Sequence, residues 1–401
     1  MQTRLADDIR DTREGRDADA ILRKCVHCGF CLATCPTYQL LGDELDSPRG
    51  RIYLIKQVLE GHAPTQTTQL HLDRCLTCRN CETTCPSGVE YSRLADIGRS
   101  LVDQKVERPL PGRWMRRLLR WSIPFRGRFG VALGLGRLLR PVLPGGLKGT
   151  IPPRAPARPW PRSSHARTMV VLQGCVQPPI APNINAAAAR VLDRLGIRLI
   201  APNDHCCGSV SYHLSAMDEA LDFMRRNIDL WWPYIEDGAE AIVTTASGCG
   251  VMVKDYGHAL RDDPEYAEKA ARVSELARDI SEVLAGEDLT RLTPPSSRPR
   301  VAFHPPCTLQ HGQKIRGVVE GILAGRGLEL TPVTDSHLCC GSAGTYSILQ
   351  PGLAGRLRRN KLDALQKGRP QVIATANIGC QTHLQSGTDL PVRHWIELLD
   401  D

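Results

Sequence analysis

The sequence has no long hydrophobic run. No stretch of its 401 residues approaches the roughly 20 consecutive apolar residues that a membrane-spanning helix requires. The opening residues, MQTRLADDIRDTREGRDADAILRK, are charged throughout and lack the apolar segment of a secretion signal. We therefore expect a soluble chain in the reducing environment of the cytoplasm.

Nucleotide-binding fingerprints are also missing. The chain contains neither a G-x-G-x-x-G motif after a strand nor a G-x-x-x-x-G-K-S/T loop. Oxidation of a substrate by two electrons normally needs a flavin or nicotinamide cofactor. We therefore expect any such chemistry to take place on a partner protein.

Acidic residues are absent from one basic segment. Residues 112–162 hold twelve Arg and Lys and no Asp or Glu, which exceeds the net charge of +8 for the whole chain. Trp114, Leu118 and Trp121 are interspersed with arginines, a pattern typical of a helix on an anionic membrane. The alternatives are a docking surface for an acidic subunit and a solvated linker. Nucleic acid is disfavoured because no recognition module is present.

Cysteine, by contrast, is abundant, with sixteen residues. Disulfide frameworks belong mainly to small secreted chains, so grouped cysteines in this chain favour metal binding. Two groups share the spacing C-x2-C-x2-C-x3-C-P: Cys25, Cys28, Cys31 and Cys35, and Cys75, Cys78, Cys81 and Cys85. Zinc is the alternative for paired cysteines, but duplicate quartets that end in Cys-Pro are typical of two [4Fe–4S] clusters.

The two motifs are expected to exchange ligands. In two-cluster ferredoxins the fourth cysteine of each motif binds the other cluster. Apolar residues recur at helical spacing across residues 52–59, and Gly61 follows as a stop, so the domain is predicted to be helical. The rule predicts one cluster on Cys25, Cys28, Cys31 and Cys85, and the other on Cys75, Cys78, Cys81 and Cys35.

The other eight cysteines form an internal repeat. Each half has one cysteine, a Cys-Cys-Gly-Ser doublet and a last cysteine, with gaps of 31 and 42 positions in the first half and 32 and 40 in the second. Such duplication predicts two domains of the same architecture. The members are Cys175, Cys206, Cys207 and Cys249, then Cys307, Cys339, Cys340 and Cys380.

Short β-branched runs alternate with helical stretches in both halves, which predicts parallel sheets flanked by helices. The cysteines follow the strands, at the edge where open α/β sheets collect their sites. A further cluster or zinc is predicted in at least one half; the alternative is that these are buried apolar cysteines. Four histidines are weighed as second-sphere donors or ligands against ordinary loop residues: His205, His304, His337 and His383.

Taken together, these motifs resemble the iron–sulfur subunit of glycolate oxidase (glycolate dehydrogenase). The resemblance covers nearly the whole chain and is most specific at CPTYQLLGDELDSPRGRIYLIK, LCCGSAGTYSIL and ANIGCQTHLQSGTDLPVRHWIELLD. The wider family with cysteine doublets often ends its motif in C-x-x-C. Here Met252 and His383 stand at those positions, which weakens the transfer of a five-thiolate cluster.

The motifs, the basic segment and the duplication together predict a multidomain α/β chain: a helical two-cluster ferredoxin domain (1–110), a basic connector (111–165) and two duplicated α/β cysteine-rich domains (166–290 and 299–401). The resemblance implies the function of this chain: an electron-transfer subunit that takes electrons from an FAD-containing 2-hydroxy-acid dehydrogenase subunit, with a second flavin-type subunit. The acceptor would be the membrane quinone pool or an anchor, at the cytoplasmic face of the inner membrane. The alternatives are a subunit of a lactate or glycerol-3-phosphate dehydrogenase and a catalytic subunit like heterodisulfide reductase.

Overall fold

A computed structural model describes residues 1–142, 149, 151–295 and 297–400. Residues 143–148 and 150 of the predicted connector lie outside the described residues. The chain divides into two compact units. The first contains Met1–Arg117 and His337–Leu357, and the second contains Leu118–Ser336 and Arg358–Asp401. The second cysteine doublet therefore belongs to the first unit.

The first unit is helical, as predicted. Helix α4 begins where Ser47 accepts a hydrogen bond from the backbone N–H of Gly50, and its apolar positions, including Ile52 and Ile55, are buried. Gly98 of α7 lets the two helices approach closely, because a Cβ atom there would lie 2.5 Å from Cγ1 of Ile55. The helices are α1 (Asp7–Arg10), α2 (Arg13–Lys24), α3 (Pro36–Leu41), α4 (Pro48–Leu59), α5 (Gln66–Asp73), α6 (Asn80–Thr84), α7 (Tyr91–Lys105) and the short helix Tyr346–Leu349.

The second unit is built on two four-stranded parallel sheets. The first has the order β2-β1-β3-β4 and the second has the order β6-β5-β7-β8, so the duplicated sequence gives a duplicated topology. This confirms the predicted α/β architecture of both halves. The strands are β1 (Arg167–Leu172), β2 (Ile197–Ile200), β3 (Ile242–Thr244), β4 (Ala277–Asp279), β5 (Arg300–His304), β6 (Glu329–Leu330), β7 (Val372–Thr375) and β8 (Val392–His394).

Helices cover the sheets and bury their central strands, as the continuous apolar runs of β1, β3, β5 and β7 require. The helices of this unit are Gln177–Ile180, Asn183–Arg194, Ser209–His213, Met217–Glu236, Ser247–Lys254, Tyr256–Ala259, Ala267–Leu276, Ile280–Ala285, Val318–Gly325 and Ile378–Gln385. A further helix, Pro351–Gln366, contains the boundary between the two units. Short 3-10 or π turns lie at Phe30–Leu32, Glu44–Asp46, Arg140–Val142, Leu289–Arg291, Thr308–Gly312 and Trp395–Leu398.

The basic segment contains two helices, α8 (Leu110–Ser122) and α9 (Arg126–Leu139). Residues 151–161, the described part of the proline-rich end, have no helix or strand. Within the described part of the chain, no helix is both long and apolar enough to cross a bilayer.

Candidate metal centres

The eight N-terminal cysteines line two cavities of the first unit. The first cavity, of about 440 Å³, is lined by Cys25, Cys28, Cys31, Cys81 and Cys85, so Cys81 lines both cavities. The second cavity, of about 310 Å³, is lined by Cys35, Cys75, Cys78 and Cys81. Each cavity thus brings three cysteines of one motif together with the last cysteine of the other.

The two cysteine loops share an unusual backbone. His27 and Thr77, each two positions after the first cysteine of a motif, have positive φ angles of 57° and 51°. Gly29 and Arg79, two positions further on, have φ angles of 84° and 58°. Positive φ angles at alternate residues of a short loop turn its backbone N–H groups towards a common centre. Such a loop suits an anionic group. The N–H of Thr77 already points at the sulfur of Cys75, at 3.4 Å.

Buried arginines surround the second cavity. Arg51 of α4 is 1% exposed and lines this cavity. Its guanidinium donates to the carbonyl of His71 at 2.7 Å and to Oγ1 of Thr37 at 3.1 Å, and forms an ion pair with Asp46 at 3.2 Å. The Thr37 hydroxyl in turn lies 3.3 Å from the sulfur of Cys35. A single side chain therefore separates the Arg51 charge from a candidate ligand.

Arg99 of α7 is bonded to the chain around the first cysteine of the second motif. Its guanidinium donates to the carbonyl of Leu72 at 3.0 Å and to Oγ1 of Thr77 at 2.8 Å. Burial raises the pKa of Cys75, but the charges of Arg51 and Arg99 outweigh it and hold this pKa below its usual value. In the first cavity burial dominates and raises the pKa of Cys31 to about 11.

Two polar groups in the cavity walls are available to an iron–sulfur cluster. Tyr91 lines both cavities; its buried hydroxyl neighbours the Cys75 thiol and has no other hydrogen-bond partner among the described residues. The buried Nε2 atom of His27, in the wall of the first cavity, also lacks a partner within that part of the chain. Cluster sulfurs accept hydrogen bonds, so these donors and the two thiol quartets fit such a group.

The cysteines of the first repeat also converge. The sulfurs of Cys175 and Cys206 lie 3.6 Å apart, and Cys207 accepts hydrogen bonds from the thiols of Cys206 and Cys249. These bonds lower the pKa of Cys207 and raise the pKa of Cys249. The pKa of Cys206 is raised first by its hydrogen bond with Cys175 and then by that with Cys207. One sulfur of the quartet is thus favoured as a thiolate, which is the form that binds metal.

Polar side chains hold the first doublet in place. Asn227 donates to the carbonyl of Cys206 at 2.9 Å, and the Tyr256 hydroxyl donates to the carbonyl of Cys207 at 3.1 Å. The following Gly208 has a φ of +89°, and a Cβ atom there would lie 2.9 Å from the carbonyl oxygen of Ala220. Gly341 of the second doublet has a φ of +91° and the same close approach, 2.7 Å from the carbonyl oxygen of Ala354. The repeated Cys-Cys-Gly motif therefore needs its glycine.

The second repeat differs from the first in a histidine. His304 ends β5, three positions before Cys307, where the first repeat has Leu172. Its imidazole is fully buried, so its pKa lies well below the usual value, and neither ring nitrogen has a partner among the described residues. One ring nitrogen lies within 4.8 Å of the Cys380 thiol. His205 and His337 are held instead through their backbones, by Asn227 and Asn80 respectively.

Comparisons with known proteins agree with this geometry. Residues 21–89 match the family described as "4Fe-4S dicluster domain", and residues 169–254 and 301–385 match "Cysteine-rich domain". The chain is 57% identical over 402 residues to the "Glycolate oxidase iron-sulfur subunit" of Escherichia coli (strain K12), covering 100% of this chain and 98% of the relative.

The chain belongs to the family of glycolate oxidase iron–sulfur subunits.

More distant members and relatives extend the comparison. The "Probable glycolate oxidase iron-sulfur subunit" of Bacillus subtilis (strain 168) is 29% identical, with 95% of this chain and 92% of the relative covered. A "Lactate utilization protein A" of Bacillus licheniformis is 27% identical over 56% of this chain and 96% of the relative. The predicted family, its iron–sulfur character and its two cysteine-rich domains are thereby confirmed.

The cysteine spacing predicted the candidate ligands, but not the charged residues around them. Arg51, Asp46, Arg99 and Tyr91 were not among the predicted site residues. The one available clue was the position of Arg51 on α4, four and seven residues before Ile55 and Val58, which places it on the buried face of the helix.

Proposed function

We propose that this chain relays electrons within a glycolate oxidase complex. Glycolate becomes glyoxylate when it loses two electrons and two protons, and an FAD-containing partner subunit, with a second flavin-type subunit, carries out that step. This chain then passes the electrons one at a time towards membrane quinone. The observation that carries the proposal is the pair of cavities, each lined by cysteines of both motifs, in a chain without a nucleotide-binding fingerprint.

The ligand sets follow the lining of the cavities. The first [4Fe–4S] cluster is assigned to Cys25, Cys28, Cys31 and Cys85, and the second to Cys35, Cys75, Cys78 and Cys81. Such clusters, when bound, accept and release single electrons. The cysteines fix their positions, while Thr77, Tyr91 and the arginines direct hydrogen bonds and charge towards the second site.

The cysteine doublets are proposed as additional metal sites. In the first repeat, the four thiols Cys175, Cys206, Cys207 and Cys249 support a further cluster or zinc. In the second repeat, the same role is assigned to Cys307, Cys339, Cys340 and Cys380 from the duplicated sequence. Iron, sulfide and zinc per chain, measured on anaerobically purified protein, distinguish these occupants.

A break in the relay tests the function. The complex is assembled with either the unchanged chain or the Cys78→Ser variant, and glycolate is added without oxygen. Flavin reduction by glycolate should be unchanged in the variant, while reduction of a quinone or artificial dye by the complex should stop. Loss of flavin reduction as well, in a variant that still assembles, would contradict a purely downstream role.

We further propose that α8 and α9 contact the cytoplasmic face of the inner membrane. Of the sixteen exposed large apolar residues in the described part of the chain, ten lie between Leu110 and Val142. On α8, Trp114, Leu118 and Trp121 are 66%, 54% and 57% exposed. Tryptophan and leucine next to arginines, without acids, suit the boundary between lipid headgroups and acyl chains.

The arginines of these helices show why the apolar side faces outwards. Arg116 pairs with Asp73 at 3.0 Å, Arg120 pairs with Glu219 at 2.6 Å, and Arg126 pairs with Asp204 at 2.9 Å. Several charged side chains are thus used for ion pairs with the rest of the protein, and the apolar side chains remain on the surface. An ordinary surface helix instead buries its apolar face and exposes its charged face.

Vesicle flotation tests the membrane contact. A variant with Trp114→Ser, Leu118→Ser and Trp121→Ser should bind phosphatidylglycerol vesicles at least tenfold more weakly than the unchanged chain. Leu70→Ser, which changes an exposed leucine of α5, is the matched control and should bind normally. If the triple variant kept its vesicle binding but failed to assemble with the flavoprotein, the surface would be a subunit contact instead.

A further inference from the structure

The two cluster cavities differ sharply in their buried charge. Around the second cavity, three guanidinium groups (Arg51, Arg74 and Arg99) form ion pairs with two carboxylates (Asp46 and Asp96), so these five groups together carry one positive charge. Glu82, a part-exposed carboxylate that acts on Cys81, is a nearby negative charge. Arg51 and Arg99 are buried, so water screens their charges weakly. Arg79 lines the same cavity and adds a further, partly exposed cation.

The first cavity has less buried positive charge around it. The amino group of Met1 is part-buried and donates to the carbonyl of Cys25 at 2.8 Å, but no fully buried guanidinium stands among the described residues that line this cavity. Arg49 is the one arginine or lysine in its described lining, and it pairs with Glu44 at 2.8 Å. Its side chain is 32% exposed, so both the carboxylate and water reduce its field.

Reduction makes a cluster more negative by one charge. A fixed cation nearby stabilises the reduced form more than the oxidised form, and so raises the reduction potential. The effect is larger in a buried site because the effective dielectric constant is low. The second site should therefore hold an electron more tightly than the first.

The surroundings of the two sites agree with that order. Cys28 of the first site is exposed, between the exposed apolar side chains of Val26 and Phe30, so a donor protein can approach it. The second site adjoins the second doublet within the same unit. There, the Asn80 amide, next to Cys81, donates to the carbonyls of both Thr34 and His337, at 3.0 and 3.2 Å.

Tyr346 marks the same junction. Its ring belongs to the doublet segment of the first unit, and its buried hydroxyl has no hydrogen-bond partner among the described residues. Cys75 of the second site and Cys339 of the doublet both act electrostatically on it, so it lies near both.

We propose that Arg51 and Arg99 set the direction of electron transfer by raising the reduction potential of the cluster on Cys35, Cys75, Cys78 and Cys81 above that of the other cluster. The inference rests on the proposed relay function. In each transfer the first cluster loses one electron and the second gains it, and no bond or proton changes place. The two electrons of the reduced flavin partner pass in succession.

Redox titration of the full chain, followed by electron paramagnetic resonance, tests this order. Signals are assigned to each site with Cys28→Ser and Cys78→Ser. In the unchanged chain the second site should have the higher potential. Arg51→Met should lower the reduction potential of the second site by about 59 mV or more. For a one-electron couple this corresponds to a tenfold shift of the electron-transfer equilibrium towards the first site. Asp46→Asn, which leaves the Arg51 charge unbalanced, should shift it in the opposite direction.

Two controls separate charge from damage to the fold. Arg51→Lys keeps the charge and should keep most of the potential, while Arg49→Met should leave the second site unchanged. A higher potential at the first site of the unchanged chain overturns the inference, even if no variant folds. Shifts of equal sign for Arg51→Met and Asp46→Asn also overturn it. A chain that binds no [4Fe–4S] cluster would instead contradict the proposed function.

Discussion

At the scale of single residues, Cys35 and Cys85 each end one motif and line the cavity of the other. We therefore predict that Cys85→Ser removes the same resonance signal as Cys28→Ser, and that Cys35→Ser removes the same signal as Cys78→Ser. Each variant should lose about half of the iron held by the two motifs, because each removes one ligand from one four-thiolate site. The opposite pairing of signals would show that each motif holds its own cluster.

The cysteines could be predicted from sequence because their geometry is local: a few residues of spacing place three thiols around one loop. The roles of Arg51 and Asp46 could not be predicted, because the sequence does not distinguish a buried charged residue from an exposed one, and arginines are usually exposed. Their pairing also joins the 3-10 turn Glu44–Asp46 to the buried face of α4, which depends on tertiary packing. The sequence predicts His304 either as a donor to a cluster or as a loop residue; its burial, with neither ring nitrogen bonded to any described residue, emerges only from the fold.

At the scale of elements, the contact between α4 and α7 is tight enough to test by adding one methyl group. Gly98→Ala would place a Cβ atom 2.5 Å from Cγ1 of Ile55, and this β-branched side chain has little freedom to move away. We expect a loss of about 1–3 kcal/mol from overpacking, partly offset by the better helix propensity of alanine, about 1 kcal/mol.

The measurement is the temperature at which the chain releases its clusters, which should fall for Gly98→Ala. Gly112→Ala in α8 is the matched control, because a Cβ atom there meets no other atom within 4 Å. It should leave the temperature unchanged or raise it slightly. Equal behaviour of the two variants would mean that α4 and α7 can separate without cost.

A second element-scale prediction concerns the end of the last sheet, at β8. The buried His394 ring donates from Nε2 to the carbonyl of Thr245 at 2.7 Å, and its Nδ1 accepts from the N–H of Ile396 at 3.3 Å. Burial lowers its pKa to about 4, so the folded chain keeps the ring neutral. Below about pH 6.5 the unfolded chain takes up a proton that the folded chain refuses.

The contribution of His394 is thus fully present above about pH 6.5 and is lost as the pH falls towards 4, with a total of about 3 kcal/mol. Denaturant unfolding of the second unit at pH 7.5, 6 and 5 measures it. In His394→Gln the free energy of unfolding should depend less on pH across this window. If the free energy of unfolding depended on pH equally in both chains, the His394 ring would take up its proton in the folded chain as readily as in the unfolded chain.

The central strands were predictable because they are short runs that contain β-branched residues and the same order recurs in both halves. β4 (Ala277–Asp279) and β6 (Glu329–Leu330) contain no β-branched residue and gave no such signal. Which face of α8 is exposed was not predictable. The spacing of its arginines and tryptophans is equally compatible with an exposed arginine face and with an exposed tryptophan face. Which face turns outwards depends on acids elsewhere in the chain, such as Asp73 and Glu219.

At the scale of the whole molecule, the segment His337–Leu357 belongs to the helical unit although most of its own repeat belongs to the other unit. Sequence gave no sign of this, because the duplicated motif places the doublet within its own half. Long-range hydrogen bonds of Asn80 with His337 and of Arg356 with the carbonyl of Leu40 join the segment to the rest of this unit. The proposed domain boundaries, which follow the repeat, remain a prediction.

The last prediction concerns the chain alone and in its complex. Its cysteine sites can take electrons, but nothing in its sequence provides a hydride acceptor, so glycolate added to the isolated, cluster-loaded chain should not bleach the absorbance of the clusters. When the flavoprotein subunit is added, glycolate should bleach the absorbance of the clusters. D-lactate should also bleach it, because it is a 2-hydroxy acid too, but more slowly as the secondary substrate. Glycerol 3-phosphate serves as the matched control and should leave the clusters oxidised. Bleaching by glycolate in the isolated chain would place the oxidation chemistry here after all, and bleaching by glycerol 3-phosphate in the complex would assign the relay to a different dehydrogenase.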